Sequence, residues 1–441
     1  MTTVNDMSTP PPFGFGFGDA PSGDDDGEGN NLPDFSAFGP MFAQLQHLFT
    51  QQSSGPVNWD LARQLATSTL GGASAAVGPA EAGAIEAAVR LADLWLDEAT
   101  TLPSGVERTE GWTRQEWIER TLPIWTALCD PVAERVTTAM GSAIEGQLGQ
   151  LSDSGELPAE LRAFGFGPGV PGSGNPLGGI MSQVGGLMFG AQVGQGLGAL
   201  SQEVVSASDV GVPLGPPGVA ALVPQNVAAF GEGLERPSDE VRLYLALREA
   251  AHQRLFSHVP WLRQRLLDTV AAYARGITVD MSAIESAVSQ IDPTDPNSVQ
   301  EALAGGMFEP QATPEQQTAL RRLETLLALV EGWVDTVVAA AAGSRMPGAD
   351  ALREASRRRR ATGGPAEQTF ATLVGLELRP RRLREAAALW WAVAEKHGVE
   401  GRDGLWAHPD LLPTPDDLDD PIGFAETVGA ADGIDLGDLE G

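Results

Sequence analysis

Apolar residues recur three and four positions apart through almost every segment of this sequence that is rich in them, while alternation with period two is nearly absent. Residues 59–70, 79–96 and 114–144 show the helical spacing, the last of them broken at Pro123 and Pro131. The best strand signal is the run Val219, Ala220, Ala221, Leu222, Val223, which ends at Pro224. A large parallel sheet needs many such runs alternating with helices. The sequence therefore predicts a mainly α fold with at most a small β-sheet.

Both ends read differently. Residues 1–36 are rich in Gly, Pro and acids, with Phe-Gly repeats at Phe13, Phe15 and Phe17 and the run Asp24, Asp25, Asp26. Residues 413–441 share that character, with Asp416, Asp417, Asp419 and Asp420. Such stretches bury too little apolar surface to offset chain entropy, so two disordered acidic tails are expected around a domain at 37–412, divisible into lobes at 37–205 and 206–412. The formal charge of −31 over 441 residues repels phosphate backbones and anionic headgroups. Neither nucleic acid nor a membrane is an expected partner; a protein or peptide partner is left unidentified, and oligomeric state is not legible. Met1 to Asp6 carry no basic residue or apolar core of a secretion signal, so a cytoplasmic location is expected.

The single cysteine, Cys129, excludes an internal disulfide and a cysteine zinc cage, and reads as a small buried apolar residue. Gly186, Gly190, Gly194 and Gly198 recur every four residues in the uncharged segment 163–202. Their stacking predicts a glycine zipper, a helix face that another backbone approaches closely. Gln183, Gln192 and Gln195 make it too polar for a membrane span. The arginine clusters, residues 357–360 and Arg379, Arg381, Arg382 and Arg384, are expected to pair with the chain's own carboxylates. No nucleophile elbow, phosphate loop or dinucleotide fingerprint occurs.

Chemistry concentrates in two predicted helices. Ser238 reads as an N-cap, with Asp239 and Glu240 in the first turn of a helix running to about Phe256. Val241, Leu245, Arg248, His252 and Leu255 fall on one stripe, with Glu249 beside it. Two histidines four apart on one face, with a glutamate after the first, hold zinc and place a general base. Here the positions read Arg248, Glu249, Ala250, Ala251, His252. Arginine keeps its proton and offers no lone pair. His47, His258, His397 and His408 are scattered, and His258 lies on another face from His252.

In the second helix Thr313 caps, Pro314 opens and Gln316 completes a capping box. Leu320, Leu323, Leu327, Val330, Val334 and Val338 trace its apolar stripe, which contains Glu331 and Asp335 four apart. Carboxylates so placed need a cation or a proton between them. Arg248 is the candidate, paired with Glu331 or Asp335 where a metal would otherwise stand, because a buried arginine without a partner is strongly unfavourable.

The run Leu247, Arg248, Glu249, Ala250, Ala251, His252, Gln253, Arg254, Leu255, Phe256, followed by Val259, Pro260, Trp261, Leu262, resembles an actinobacterial family of zinc-dependent metalloprotease-like hydrolases with a zincin-like fold. One branch of that family is associated with deazaflavin cofactor biosynthesis. The resemblance spans about residues 56–413 and includes 363–370, 376–382 and 398–403. It implies zinc, with His252 as a ligand and Glu249 as general base. Glu331 and Asp335 are similar to the gluzincin pair in which the glutamate ligates zinc and the aspartate orients a ligand histidine. Closer relatives resemble Glu-Gly-His at 331–333, where this chain has Trp333. With Arg248 in place of the first ligand, loss of zinc and peptidase activity is expected, leaving a pseudoenzyme that acts as a scaffold or regulator. The alternative is an active metallohydrolase with an unconventional zinc site built on His252 and Glu331, with Glu249 as base.

Overall fold

The computed structural model describes residues 55–72, 75–153, 176–276, 313–362, 371, 378 and 380–428. The expected N-terminal tail, His47, Arg379, the motif at 363–370 and the last residues of the C-terminal tail lie outside them.

Asn58 starts helix α1 (Trp59–Ser68) by accepting from the Leu61 amide. Pro79 opens α2 (Pro79–Leu96), which buries Ile85, Val89, Ala92 and Leu96. Helix α3 (Arg114–Asp153) runs on through Pro123 and Pro131, where the sequence predicts breaks. Pro123 is exposed and Pro131 half-buried, so both rings lie off the core, where a missing backbone bond costs least. The glycine-bearing face of α4 (Pro176–Glu203) lies against α1. A Cβ would stand 2.6 Å from the Asn58 oxygen at Gly190, and 2.6 Å from the Ala62 oxygen at Gly194.

Strand β1 (Arg108–Gly111) pairs in parallel with β2 (Val219–Leu222), from Arg108 opposite Val219 to Gly111 opposite Leu222. All four residues of β2 are buried. Its partner has no apolar pattern to predict it.

The second half adds α5 (Pro224–Gly231), α6 (Ser238–His258) and α7 (Pro260–Arg275). Beyond residues 277–312 come α8 (Pro314–Ala342), α9 (Ala349–Thr362), α10 (Leu383–Gly404) and α11 (Pro421–Thr427). Ser238 is not the N-cap of α6: it is the first helical residue, and the Pro237 carbonyl receives the Glu240 and Val241 amides. An extended Pro237 already aims its carbonyl along the helix, leaving the serine hydroxyl no capping role. Thr313 does cap α8, accepting from the Gln316 amide at 3.1 Å.

Every residue of α6 from 244 to 255 is buried, and so is every residue of α8 from 325 to 338. Over these stretches the two helices have no solvent face, and helices from both halves of the chain share their core. Among the described residues α8 is the one helix long and apolar enough to cross a membrane, and that window is 83% buried within the protein. The packed chain continues past Pro413, where an acidic tail is predicted. Leu418 and Ala425 are buried, Asp420 caps α11, and Arg382 pairs with Asp419. Several of the acids that look like tail composition are thus caps and ion partners.

Candidate functional site

α6 and α8 meet at Arg248, His252 and Glu331. Arg248 Nη2 donates to Glu331 Oε2 at 2.5 Å, and His252 Nε2 lies 3.2 Å from Glu331 Oε1. The other ring nitrogen, Nδ1, faces the Arg248 carbonyl at 2.9 Å, one helical turn back. Phe256 stacks on the imidazole with ring centroids 5.8 Å apart. From α9, Arg360 brings a second guanidinium to 3.8 Å from Glu331 Oε1. Arg248 is 5% exposed, His252 1% and Glu331 0%, so water does not screen these charges.

Glu249 points elsewhere. It accepts from the Ser208 amide at 3.1 Å, the Ser208 hydroxyl at 3.2 Å and Gln253 Nε2 at 2.9 Å. Ser208 belongs to an irregular segment, residues 204–212, that is buried throughout and closes over the helix crossing. The Val223 amide bonds the Val205 oxygen and the Ala207 amide the Ala221 oxygen, laying the segment antiparallel beside β2. At Gly211, with φ of +77°, the backbone passes so near Glu331 that a Cβ would stand 3.0 Å from Oε1.

The sequence left two carboxylates open as partners for Arg248; the contact is with Glu331. Asp335, one turn further along α8, is held by two guanidinium forks, Arg353 at 2.9 and 2.6 Å and Arg357 at 3.1 and 2.6 Å. It has no contact with a histidine among the described residues. Trp333 sits on the other side of α8, donating to Asp403 at 2.9 Å, with the Arg402 guanidinium 5.8 Å above its ring. Position 333 thus faces away from His252, because two residues turn a helix by about 200°. The Trp333 side chain, where closer relatives resemble a histidine, therefore lies outside this cluster.

Charge balance sets the acidities. Burial alone would raise the Glu331 carboxyl, but Arg360 and Arg248, with His252, outweigh it and hold it well below the usual range. Burial lowers Arg248, and Glu331 more than reverses that. For Glu249 burial prevails over Gln253, His252 and the serines, and its carboxyl is pushed up.

The arginine clusters pair internally, as expected: Arg357 with Asp335, Arg358 with Glu354, Arg359 with Asp209 and Arg381 with Glu324. Ser208 has no signal in the sequence, Arg360 stands there only as one of the cluster 357–360, and Gln253 only within the run 247–256. Gln253, four residues after Glu249 on the same helix, was the one legible signal. Which arginine of the run 357–360 turns inward depends on the docking of α9. Among the described residues no three His, Cys, Asp or Glu side chains gather as metal ligands.

A buried helix carrying Glu-x-x-His, crossed by a second that delivers a glutamate to the histidine, defines a helical protein of the zincin type. Zincin-like metallopeptidases, as a family, match residues 57–425, and the chain belongs to that family. A solved structure described as "a putative hydrolase with a novel fold", from Chloroflexus aurantiacus, shares the fold. It is 20% identical with a TM-score of 0.56, over 84% of this chain and 98% of that one. No functionally curated protein matches.

Proposed function

We propose that this chain keeps the zincin fold without a working zinc centre, and serves as a scaffold or regulator for a protein or peptide partner. The carrying observation is the 2.5 Å contact of Arg248 with Glu331 in a site closed to water. Zinc takes lone pairs from imidazole, carboxylate or thiolate and keeps an open position for water. Arg248 has no lone pair to give, two guanidinium groups already face Glu331, and Glu249 is engaged by Ser208 and Gln253. A dication would have to enter beside two fixed positive charges. The residues present do not fit zinc.

The test is metal content of the full chain, purified without chelator and measured again after zinc is added and the excess removed. Near-zero zinc in both samples is expected. A second reading, an active metallohydrolase with His252 and Glu331 as ligands and Glu249 as base, draws on the 3.2 Å approach of His252 to Glu331 and on the upward shift that burial gives the Glu249 pKa, which makes it the stronger base. About one zinc per chain would select that reading and end the first.

A further inference from the structure

Helix α9 is fastened to the rest of the protein mainly by charge. Met346 and Leu352 are buried and anchor the chain at its N-terminal end, where Glu240 of α6 accepts from the Gly348 amide at 2.7 Å. From 353 to 360 the residues are Arg, Glu, Ala, Ser and four arginines, and the one apolar residue among them, Ala355, is half-buried. The inward stripe runs on from Leu352 through Ser356 to Arg360, one helical turn apart, and both of these are buried. Around it Arg353 and Arg357 grip Asp335, and Arg359 donates at 2.6 Å to Asp209 and at 2.6 Å to the Glu203 carbonyl, while Arg360 faces Glu331. The side chains of Arg353, Arg357 and Arg359 are 29%, 21% and 26% exposed, so water and salt reach their pairs. Helix α10, by contrast, buries Leu383, Ala386, Leu389, Trp390 and Val393.

We infer that residues 353–360 form a releasable strap, which lifts while the rest of the chain stays folded and in lifting uncovers the centre formed by Arg248, His252 and Glu331. Lifting an apolar helix exposes surface to water at a cost that salt does not relieve. Guanidinium and carboxylate groups regain hydration when they part, and dissolved ions screen the attraction between them. The strap also holds the layer beneath it. Asp209 accepts from Arg359 on one side and from the Val205 amide on the other, and so ties α9 to the segment 204–212. That segment sets Ser208 against Glu249 and Gly211 against Glu331. A lifted strap takes Arg359 from Asp209 and Arg360 from Glu331 together, which loosens the segment over the helix crossing. Access to the centre is governed in this way whether or not zinc binds there.

The test is thiol labelling of the full chain carrying Ser356→Cys, with an uncharged pyridyl disulfide. Position 356 is 6% exposed and faces inward, and the one native thiol, Cys129, is buried in α3, where its labelling reports unfolding of the whole. Each rate is divided by that of the same thiol in the urea-unfolded chain at the same salt. The introduced thiol is expected to react at least about tenfold faster than Cys129, and about threefold faster again at about 0.5 M salt than at about 0.05 M. Arg357→Gln, which leaves Arg353 on Asp335, should speed it about fivefold more without moving the Cys129 rate. A thiol introduced by Thr336→Cys, at a buried position of α8 that faces α10, should react no faster than Cys129. Hydrogen exchange of the unsubstituted chain, which keeps the test open should Ser356→Cys misfold, is expected to quicken with salt across 353–360 and 204–212 together and to leave α10 unchanged. A thiol at 356 no faster than Cys129, or indifferent to both salt and Arg357→Gln, overturns the strap, and so does equal labelling at 336. Exchange that quickens in 353–360 alone overturns its hold on the layer beneath.

Discussion

Replacing Glu331 by glutamine removes the carboxylate that lies 2.5 Å from Arg248 and 3.8 Å from Arg360 while barely altering volume. Deleting one partner of a buried ion pair costs about 3–5 kcal/mol, because the remaining charge stays desolvated. Here two guanidinium groups lose a shared counter-charge, so Glu331→Gln is expected near the top of that range. Arg248→Met is milder. It leaves Glu331 facing Arg360 and His252, fills the space with an apolar chain, and should cost about 2 kcal/mol. At an unfolding entropy of about 2.1 cal/mol/K per residue, a loss of about 4 kcal/mol lowers the melting temperature of a domain of this length by about 5 °C. The two substitutions should also couple by about 1–3 kcal/mol in a double-mutant cycle. Calorimetry and urea unfolding of the full chain measure all three. A Glu331→Gln loss under about 1 kcal/mol, or a larger loss for Arg248→Met than for Glu331→Gln, would show that the charges are not balanced as described.

The carboxyls of Glu331, Asp209 and Asp403 all sit below their usual range, despite burial, because guanidinium groups oppose it. Their stabilisation is present above the unfolded carboxylate values of about 4 and is lost as pH falls through the depressed folded ones. Glu249, pushed up by burial, works the other way, and its contribution fades as pH rises through its folded value. Melting temperature should therefore drop on acidification below about pH 4, with a shallower slope in Glu331→Gln; equal slopes would contradict this. Gly211→Ala places a side chain at φ of +77° against Glu331 and should cost about 1–3 kcal/mol by urea midpoint, whereas a neutral result would mean the segment does not lie on that carboxylate. Burial, aided by Asp130, pushes the Cys129 thiol far up, so it should resist a disulfide reagent until the protein unfolds. Prompt labelling of the native chain would mean that α3 opens.

The helices were legible because their apolar spacing is local, and α2 begins and ends where the pattern does. The partner of Arg248 was narrowed to two carboxylates by the same spacing. Choosing between them required α9, since Arg353 and Arg357 occupy Asp335. Strand β1 was not legible: residues 108–111 are Arg, Thr, Glu and Gly, and they pair only because β2 lies beside them. Nor was the burial of 204–212, an irregular stretch whose backbone bonds go to β2 and whose Ser208 goes to Glu249. Sequence pattern reports which face of an element is apolar. It does not report which distant segment comes to lie on it.

The burial of residues 244–255 of α6 on every side has a consequence for how the protein is made. Arg248 waits for a carboxylate 83 residues downstream, and Asp209 for an arginine 150 residues downstream. A nascent chain that has emerged only as far as His258 can coil this helix but cannot bring it out of water, since its charges would be stranded. The centre therefore cannot close before α8 and α9 have left the ribosome, and until then the apolar flanks of α6 are open to chaperones and to aggregation.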